Sequence, residues 1–268
     1  INVLPTLAPL ILSGTASQPI LNKDVVATTS TPLVVRGSFS DPGFTLPPGQ
    51  ENFTTAINWG DGSTQNLPVT ATNNGSLAVV TTGVFTRSHL YTTYGIFTAT
   101  VTVFDDDDPT GDTESFRVTV SDIPVASNDS FSLNEDSVIG GNVLDNDGKS
   151  GPDDDLDIKS VNTAGTVGLV SNVITETGAF SYTAAGRFES LALGEQQLDS
   201  FSYTAINKVG FTNTSTVLIT VIGVNDAPVL TLNASTRAFT EDLGNVTLAP
   251  TLAASDVDNG ALISRALI

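Results

Sequence analysis

The chain has 268 residues, room for two ordinary domains, and sets 29 Asp plus Glu against 10 Lys plus Arg for a net charge of −19. Such acidity, with no Lys/Arg cluster, excludes nucleic acid and anionic membrane as partners. Cys and Met are absent, which excludes a disulfide scaffold, a zinc finger, a thiol nucleophile and an iron–sulfur site.

Without Met and opening on Ile1, the chain is expected to be a piece of a longer polypeptide. Hydrophobic residues make up 40% and aromatics 7%, so it can bury a core. No apolar run approaches the roughly 20 residues of a membrane span, so no membrane insertion is expected in this segment. Leu4 to Leu12 is apolar, but Pro5 and Pro9 interrupt it and no basic stretch precedes it, so it is not read as a signal peptide.

In chain order, Ser38-Phe-Ser-Asp-Pro-Gly43 comes first, then Ile57-Asn-Trp-Gly-Asp-Gly-Ser63. Asp61-Gly62 is a turn dipeptide that can close a hairpin, with Trp59, the only Trp, as a core anchor on the strand entering it. A sugar-stacking Trp and a metal-binding Asp are the alternatives. His89, the only histidine, has no spaced partners for zinc and is expected to make a structural hydrogen bond. Phe97-Thr-Ala-Thr-Val-Thr-Val103 alternates: Phe97, Ala99, Val101 and Val103 face one way and the threonines the other, a half-buried strand. Asp105-Asp-Asp-Asp-Pro-Thr-Gly-Asp112 is read as a solvated hairpin loop, although a divalent cation would also relieve its repulsion. Phe116, Val118 and Val120 repeat the alternation, and so do Val217, Ile219 and Val221. No segment has helical spacing over three turns. Strands punctuated by Gly, Asn and Asp turns predict an all-β fold of tandem immunoglobulin-like antiparallel sandwiches in an elongated array.

The chain also repeats itself. Val3-Leu-Pro-Thr, Ile123-Pro-Val-Ala and Asp226-Ala-Pro-Val229 form one recurring junction, with Pro5, Pro124 and Pro228 spaced 119 and 104 residues apart. About 100 residues is one such sandwich. Phe180-Ser-Tyr-Thr-Ala184 and Phe201-Ser-Tyr-Thr-Ala205 are an internal echo. The predicted units are residues 1–122, residues 123–223 and an incomplete third over 224–268.

The motifs from Ser38 to Val103, including His89-Leu-Tyr91, resemble the polycystic-kidney-disease (PKD) repeat over about 35–122, with Phe97 where that family usually has Tyr. In the second unit the order is Asn128-Asp-Ser-Phe, Asn134-Glu-Asp-Ser137, Asn142-Val-Leu-Asp-Asn-Asp147, Asp199-Ser-Phe-Ser-Tyr-Thr204 and Val217-Leu-Ile-Thr-Val221, ending on Gly223-Val-Asn-Asp-Ala-Pro228. This is similar to the bacterial cadherin-like and VCBS-type repeats of large surface proteins. Thr240-Glu-Asp242 and Ala254-Ser-Asp-Val-Asp-Asn-Gly260 look like the opening of another.

Calcium takes six to eight oxygen ligands, from carboxylates, amides and carbonyls. Residues i and i+2 of an extended segment point the same way, so Asp145-x-Asp147 and Asp256-x-Asp258 each offer two carboxylates. Glu135-Asp136 and Glu241-Asp242 lie just downstream of the junctions, and Asn128-Asp129 and Asn225-Asp226 lie at them. The cadherin resemblance implies that calcium sits where such groups meet. The candidate ligands are therefore Asn128, Asp129, Glu135, Asp136, Asp145, Asp147, Asn225, Asp226, Glu241, Asp242, Asp256 and Asp258; the alternative is solvated turn carboxylates. Asn-Asp to Glu-Asp is seven residues in one unit and sixteen in the other, so the two boundaries differ in geometry. Asp153, Asp154, Asp155 and Asp157 lie in a Gly/Pro-marked loop that does not match an EF-hand.

No nucleophile, base and orienting group are spaced as a set, so the chain is not expected to be an enzyme. The expected function is a structural and adhesive spacer of a secreted or cell-surface protein, stiffened by calcium. Its expected partners are neighbouring repeats of the same chain, with cell-surface glycans or proteins as candidate adhesion partners. The alternative is an accessory spacer or carbohydrate-binding region of a secreted hydrolase.

Overall fold

The computed structural model describes residues 3–13, 24–43, 51–76, 79–106, 109–148, 150–152, 155–232, 252–258 and 260. The chain folds into two compact units: Ile1–Val125 with Lys149–Asp155 and Asn207–Phe211, and Ala126–Gly148 with Leu156–Ile206 and Thr212–Ile268.

The first unit contains β1 (Thr6–Leu7), β2 (Ile11–Ser13), β3 (Asp24–Ala27), β4 (Leu33–Asp41), β5 (Phe53–Asn58), β6 (Thr64–Val69), β7 (Ala71–Asn73), β8 (Thr81–His89), β9 (Gly95–Asp105) and β10 (Asp112–Val120). One sheet runs β1-β4-β8-β7 with β2 also on β4, and the other runs β3-β10-β9-β5-β6. The alternation read from the sequence decides which side is buried. Ala99, Val101, Val103, Phe116, Val118 and Val120 enter the core, while Thr100 and Thr102 stay at the surface side. Phe97 is only partly buried; it packs against the core edge and stacks on Tyr91 at 5.1 Å between ring centroids.

Trp59 is the anchor of this core, with 0% of its surface exposed. It sits at the β5–β6 turn, where its N–H donates to Ser63 O at 3.0 Å. The turn needs glycine: Gly60 has φ +82°, and a Cβ there would lie 2.5 Å from Thr98 O. The Asp61 carboxylate accepts from Ser63 N–H and pairs with His89 Nε2 at 2.6 Å. Burial alone would raise the Asp61 pKa, but His89 and Ser63 hold it below the ordinary value. His89 stacks on Trp59 at 5.0 Å, so the lone histidine is a structural group. Tyr91 buries its ring against both and donates its hydroxyl to Trp59 O at 2.8 Å. Tyr91→Phe leaves that buried carbonyl unpaired and is expected to destabilise the first unit by about 1–2 kcal/mol. Urea unfolding followed by Trp59 fluorescence measures it, and an unchanged midpoint would refute it.

One sequence expectation fails in this unit. Asp105, read as part of a solvated loop, is the last residue of β9 and only 6% exposed. The inward phase of Ala99, Val101 and Val103 continues for two more residues and carries it inside.

The second unit contains β11 (Asp129–Asn134), β12 (Val138–Asn142), β13 (Leu156–Asn162), β14 (Leu169–Ile174), β15 (Ala179–Thr183), β16 (Gln196–Asn207), β17 (Thr212–Ile222), β18 (Val229–Leu232) and β19 (Leu252–Ser255). Its sheets run β11-β17-β16-β13, β12-β15-β14 and the two-stranded β18-β19. The Phe-Ser-Tyr-Thr-Ala echo is one strand in each facing sheet, β15 and β16. Phe180, Tyr182, Phe201 and Tyr203 are all buried, and the Phe180 and Phe201 rings meet edge-on at 5.2 Å. Each buried tyrosine hydroxyl is capped by a carboxylate: Tyr182 by Asp199 at 2.5 Å and Tyr203 by Asp147 at 2.8 Å. Most strand pairs are antiparallel, as expected. Among the described pairs, β3 with β10 and β11 with β17 run parallel. These link strands far apart in sequence, a pairing that local periodicity does not encode.

Candidate metal centre

The chain leaves β17 through Gly223, which has no room for a side chain: a Cβ would lie 2.3 Å from Ala192 O. Gly223 N–H donates to Glu195 O at 2.8 Å, and Gly194 N–H donates to Gly223 O at 3.0 Å. This fixes the next residues against the turn that follows β11. Glu135, in that turn, accepts the Val224 N–H on Oε1 at 2.8 Å, and its own N–H donates to Ile222 O. Glu135 is 2% exposed, and its second oxygen, Oε2, is buried without a hydrogen-bond partner.

Two more carboxylates converge on it. Asp258 Oδ2 accepts the Asp226 N–H at 3.1 Å, and Asp256 Oδ1 accepts the Asp258 N–H at 3.1 Å. One oxygen each from Glu135, Asp226 and Asp258 lies within 4.8 Å of the others. Asp226 Oδ2 and Asp258 Oδ1 are also buried without a partner. A second group, Asp136, Glu189 and Asp226, shares Asp226 and meets the same distance limit. Burial raises the pKa of Glu135 against the Val224 N–H, and the charges of Asp226, Glu189 and Asp136 raise it further. Asp226 is raised by burial and then by Asp258, Asp136 and Asp256. Glu189 is raised by burial, Asp226 and Asp136. Six carboxylates thus crowd one place in this unit.

The donor set fits calcium. All donors are hard oxygens, and ligands about 2.4 Å from one ion can be at most about 4.8 Å apart. Thiolate and imidazole, which zinc favours, are absent from the cluster.

The other predicted ligands are placed differently. Asp129, on β11, and Asp147 lie together under Tyr203, whose ring burial and hydroxyl link them to the core. Asp147 Oδ1 is already taken by Ser127 N–H and the Tyr203 hydroxyl, both at 2.8 Å. Asp129 Oδ2 and Asp147 Oδ2 are buried without partners. Asp145 is exposed and acts on Asp129 only through its charge. Asn128 is occupied as a strand clamp: its Oδ1 accepts the Ser215 hydroxyl at 2.8 Å and the Thr216 N–H at 3.1 Å. Asn225 is exposed and donates to Asp226 O. Glu241 and Asp242 lie outside the described residues. Glu189 was not among the sequence candidates, because it follows no junction; its only local signal is its place beside Phe188, which is 1% exposed and anchors the loop.

Residues 121–220 match the family model described as "Bacterial Ig domain". No curated protein matches the chain in sequence. Among solved structures, the chain is similar to the extracellular cadherin domains 1–5 of protocadherin gamma B2, at 18% identity and a TM-score of 0.39, over 88% of this chain and 45% of that one. It thus spans less than half the length of that relative. It is also similar to human CDH23 EC21–23, at 13% identity and a TM-score of 0.35, over 89% and 85% of the two chains. The CARDB domain of the PF1109 protein from Pyrococcus furiosus, solved in complex with di-metal ions, is similar at 18% identity and a TM-score of 0.27, over 44% and 94%.

Proposed function

We propose that this chain is a non-enzymatic structural and adhesive segment of a secreted or cell-surface protein, a spacer of immunoglobulin-like sandwiches that uses calcium to fix Asp226 and Asp258 against Glu135 of the second sandwich. The observation that carries the calcium reading is the convergence of Glu135 Oε2, Asp226 Oδ2 and Asp258 Oδ1, three buried oxygens without partners, in one cluster of carboxylates. Repulsion among these groups favours an open arrangement, and one divalent ion reverses that preference. Neighbouring repeats of the same chain are its proposed partners along the array, and surface glycans or proteins its proposed adhesion targets.

The carbohydrate-binding alternative has less support. A sugar-stacking face needs exposed aromatic rings, and Trp59, Tyr91, Tyr182 and Tyr203 are all buried, leaving Tyr94 as the exposed member of the Trp and Tyr set.

The test is amide exchange and calorimetry of the full chain with calcium and with excess chelator. Calcium at a hundredfold excess over its Kd is expected to add about 2.7 kcal/mol. It is also expected to protect the Val224 and Asp226 amides, which donate into the cluster. Glu135→Gln should lose the protection of both amides and the calcium shift of the second unit's transition. Identical thermograms and identical protection in the two buffers would sink the calcium reading.

A further inference from the structure

A second trio of carboxylates lies inside the first unit, and of its members the sequence singles out only Asp105, within the aspartate run. Asp41 is the last residue of β4, Asp105 the last residue of β9, and Glu51 precedes β5 by two residues. These strands belong to different sheets: β4 to one, β5 and β9 to the other. The pairing Phe53↔Asp105 sets the end of β9 beside the start of β5, and the Phe39 and Phe53 rings, 4.6 Å apart, bring the end of β4 against them. Asp41 is 0% exposed, and Glu51 and Asp105 are each 6% exposed. One carboxylate oxygen from each lies within 4.8 Å of the others.

Asp41 supplies a second, independent observation. Its Oδ1 accepts the Gly43 N–H at 2.9 Å, while Oδ2 is fully buried with no hydrogen-bond partner. A buried carboxylate oxygen left this way costs free energy unless a proton or a cation meets it. Burial raises the Asp41 pKa, and the Gly43 N–H offsets part of that. Protonation would satisfy one oxygen. It would not explain why three carboxylates from two sheets are gathered at ion-sharing distance.

We infer that Asp41, Glu51 and Asp105 hold a divalent cation of the calcium class inside the first unit, joining the end of β4 to the ends of β5 and β9. The donors are all carboxylate oxygens, and their spacing matches ligands at about 2.4 Å from a common centre. Magnesium, with ligands at about 2.0–2.1 Å and a reluctance to lose water, fits a buried protein cage less well. The ion acts as a rivet between the sheets. It is separate from the Glu135 cluster, which belongs to the other unit.

Trp59, the only Trp, lies in the first unit's core, so its fluorescence reports the unfolding of that unit. The experiment is urea unfolding of the full chain at pH 7, followed by Trp59 fluorescence, with calcium chloride and with excess chelator. The wild type and Glu135→Gln are both expected to unfold at higher urea in calcium, whereas Asp41→Asn is expected to show no calcium shift. In chelator, Asp41→Asn should equal or exceed the wild type, because it removes one charge from the trio; in calcium it should fall below. That crossover separates an ion ligand from a carboxyl that merely packs. Should Asp41→Asn fail to fold, the wild-type comparison and Glu51→Gln decide the matter. A wild-type Trp59 midpoint that is the same in both buffers overturns the inference, even where the calorimetric calcium effect of the other unit persists.

Discussion

Asp199→Ala is expected to destabilise the second unit by about 3–5 kcal/mol, since it strands several buried donors at once. Asp199 is 5% exposed and accepts the Tyr182 hydroxyl together with the N–H groups of Val167, Gly168 and Ser200. Burial alone would raise its pKa, yet these donors hold it below the ordinary carboxylate value. The stability it contributes is therefore present above its unfolded pKa and is lost as pH falls through the lower folded value. Asp199→Asn keeps the shape but turns one acceptor into a donor facing donors, so it should cost nearly as much. Calorimetry at pH 7 and again below pH 3 checks both points. A cost that stays equal across that range would contradict the account.

Asp129 should behave in the opposite sense. Burial, then the charges of Asp147 and Asp145, push its pKa up to about 6, despite help from the Tyr203 hydroxyl. Below about pH 4 it is protonated whether the chain is folded or not, and it carries no penalty. As pH rises the unfolded chain ionises first, while the folded one keeps its proton to about pH 6. Stability is thus lost between about pH 4 and pH 6, by roughly 3 kcal/mol at most. Asp129→Asn is expected to remove this slope and to stabilise the second unit at pH 7 by about 1–3 kcal/mol in chelator. A wild-type profile with no loss over that interval, or a variant less stable than wild type at pH 7, would refute it.

These two aspartates illustrate what the sequence shows and what it hides. Alternation along Phe97–Val103, Phe116–Val120 and Val217–Val221 reveals the strands and their buried faces, because period-two patterning is local. The Trp59, Asp61 and His89 assembly was legible as anchor, turn and structural hydrogen bond because its motifs are compact. The clustering of Glu135, Asp226 and Asp258 was approachable because repeats mark the junctions. Glu189 was not, since only the fold of its loop carries it to Asp226. Asp41, Glu51 and Asp105 span 65 residues and meet only where two sheets pack together, a long-range event with no local signature. Asp105 also sits in a run of four aspartates, which reads as a solvated loop until the phase of β9 is followed to its end.

The parallel pairing of β11 with β17 has a mechanical consequence. The chain enters the second sandwich on β11 and leaves it on β17, and the two lie side by side in register from Asp129↔Val217 to Asn134↔Ile222. Tension applied through the two ends pulls these strands in opposite directions along their length. The inter-strand hydrogen bonds are then loaded together in shear, so they must break almost at once, whereas a hairpin pulled open at its free end yields one bond at a time. β3 and β10 also pair in parallel in the first unit, from Asp24↔Arg117 to Ala27↔Val120, but there β1 and β2 come before β3 and join the other sheet through β4. A sandwich closed by such a clamp resists stretching along its entry and exit strands more than one closed by a hairpin at its ends.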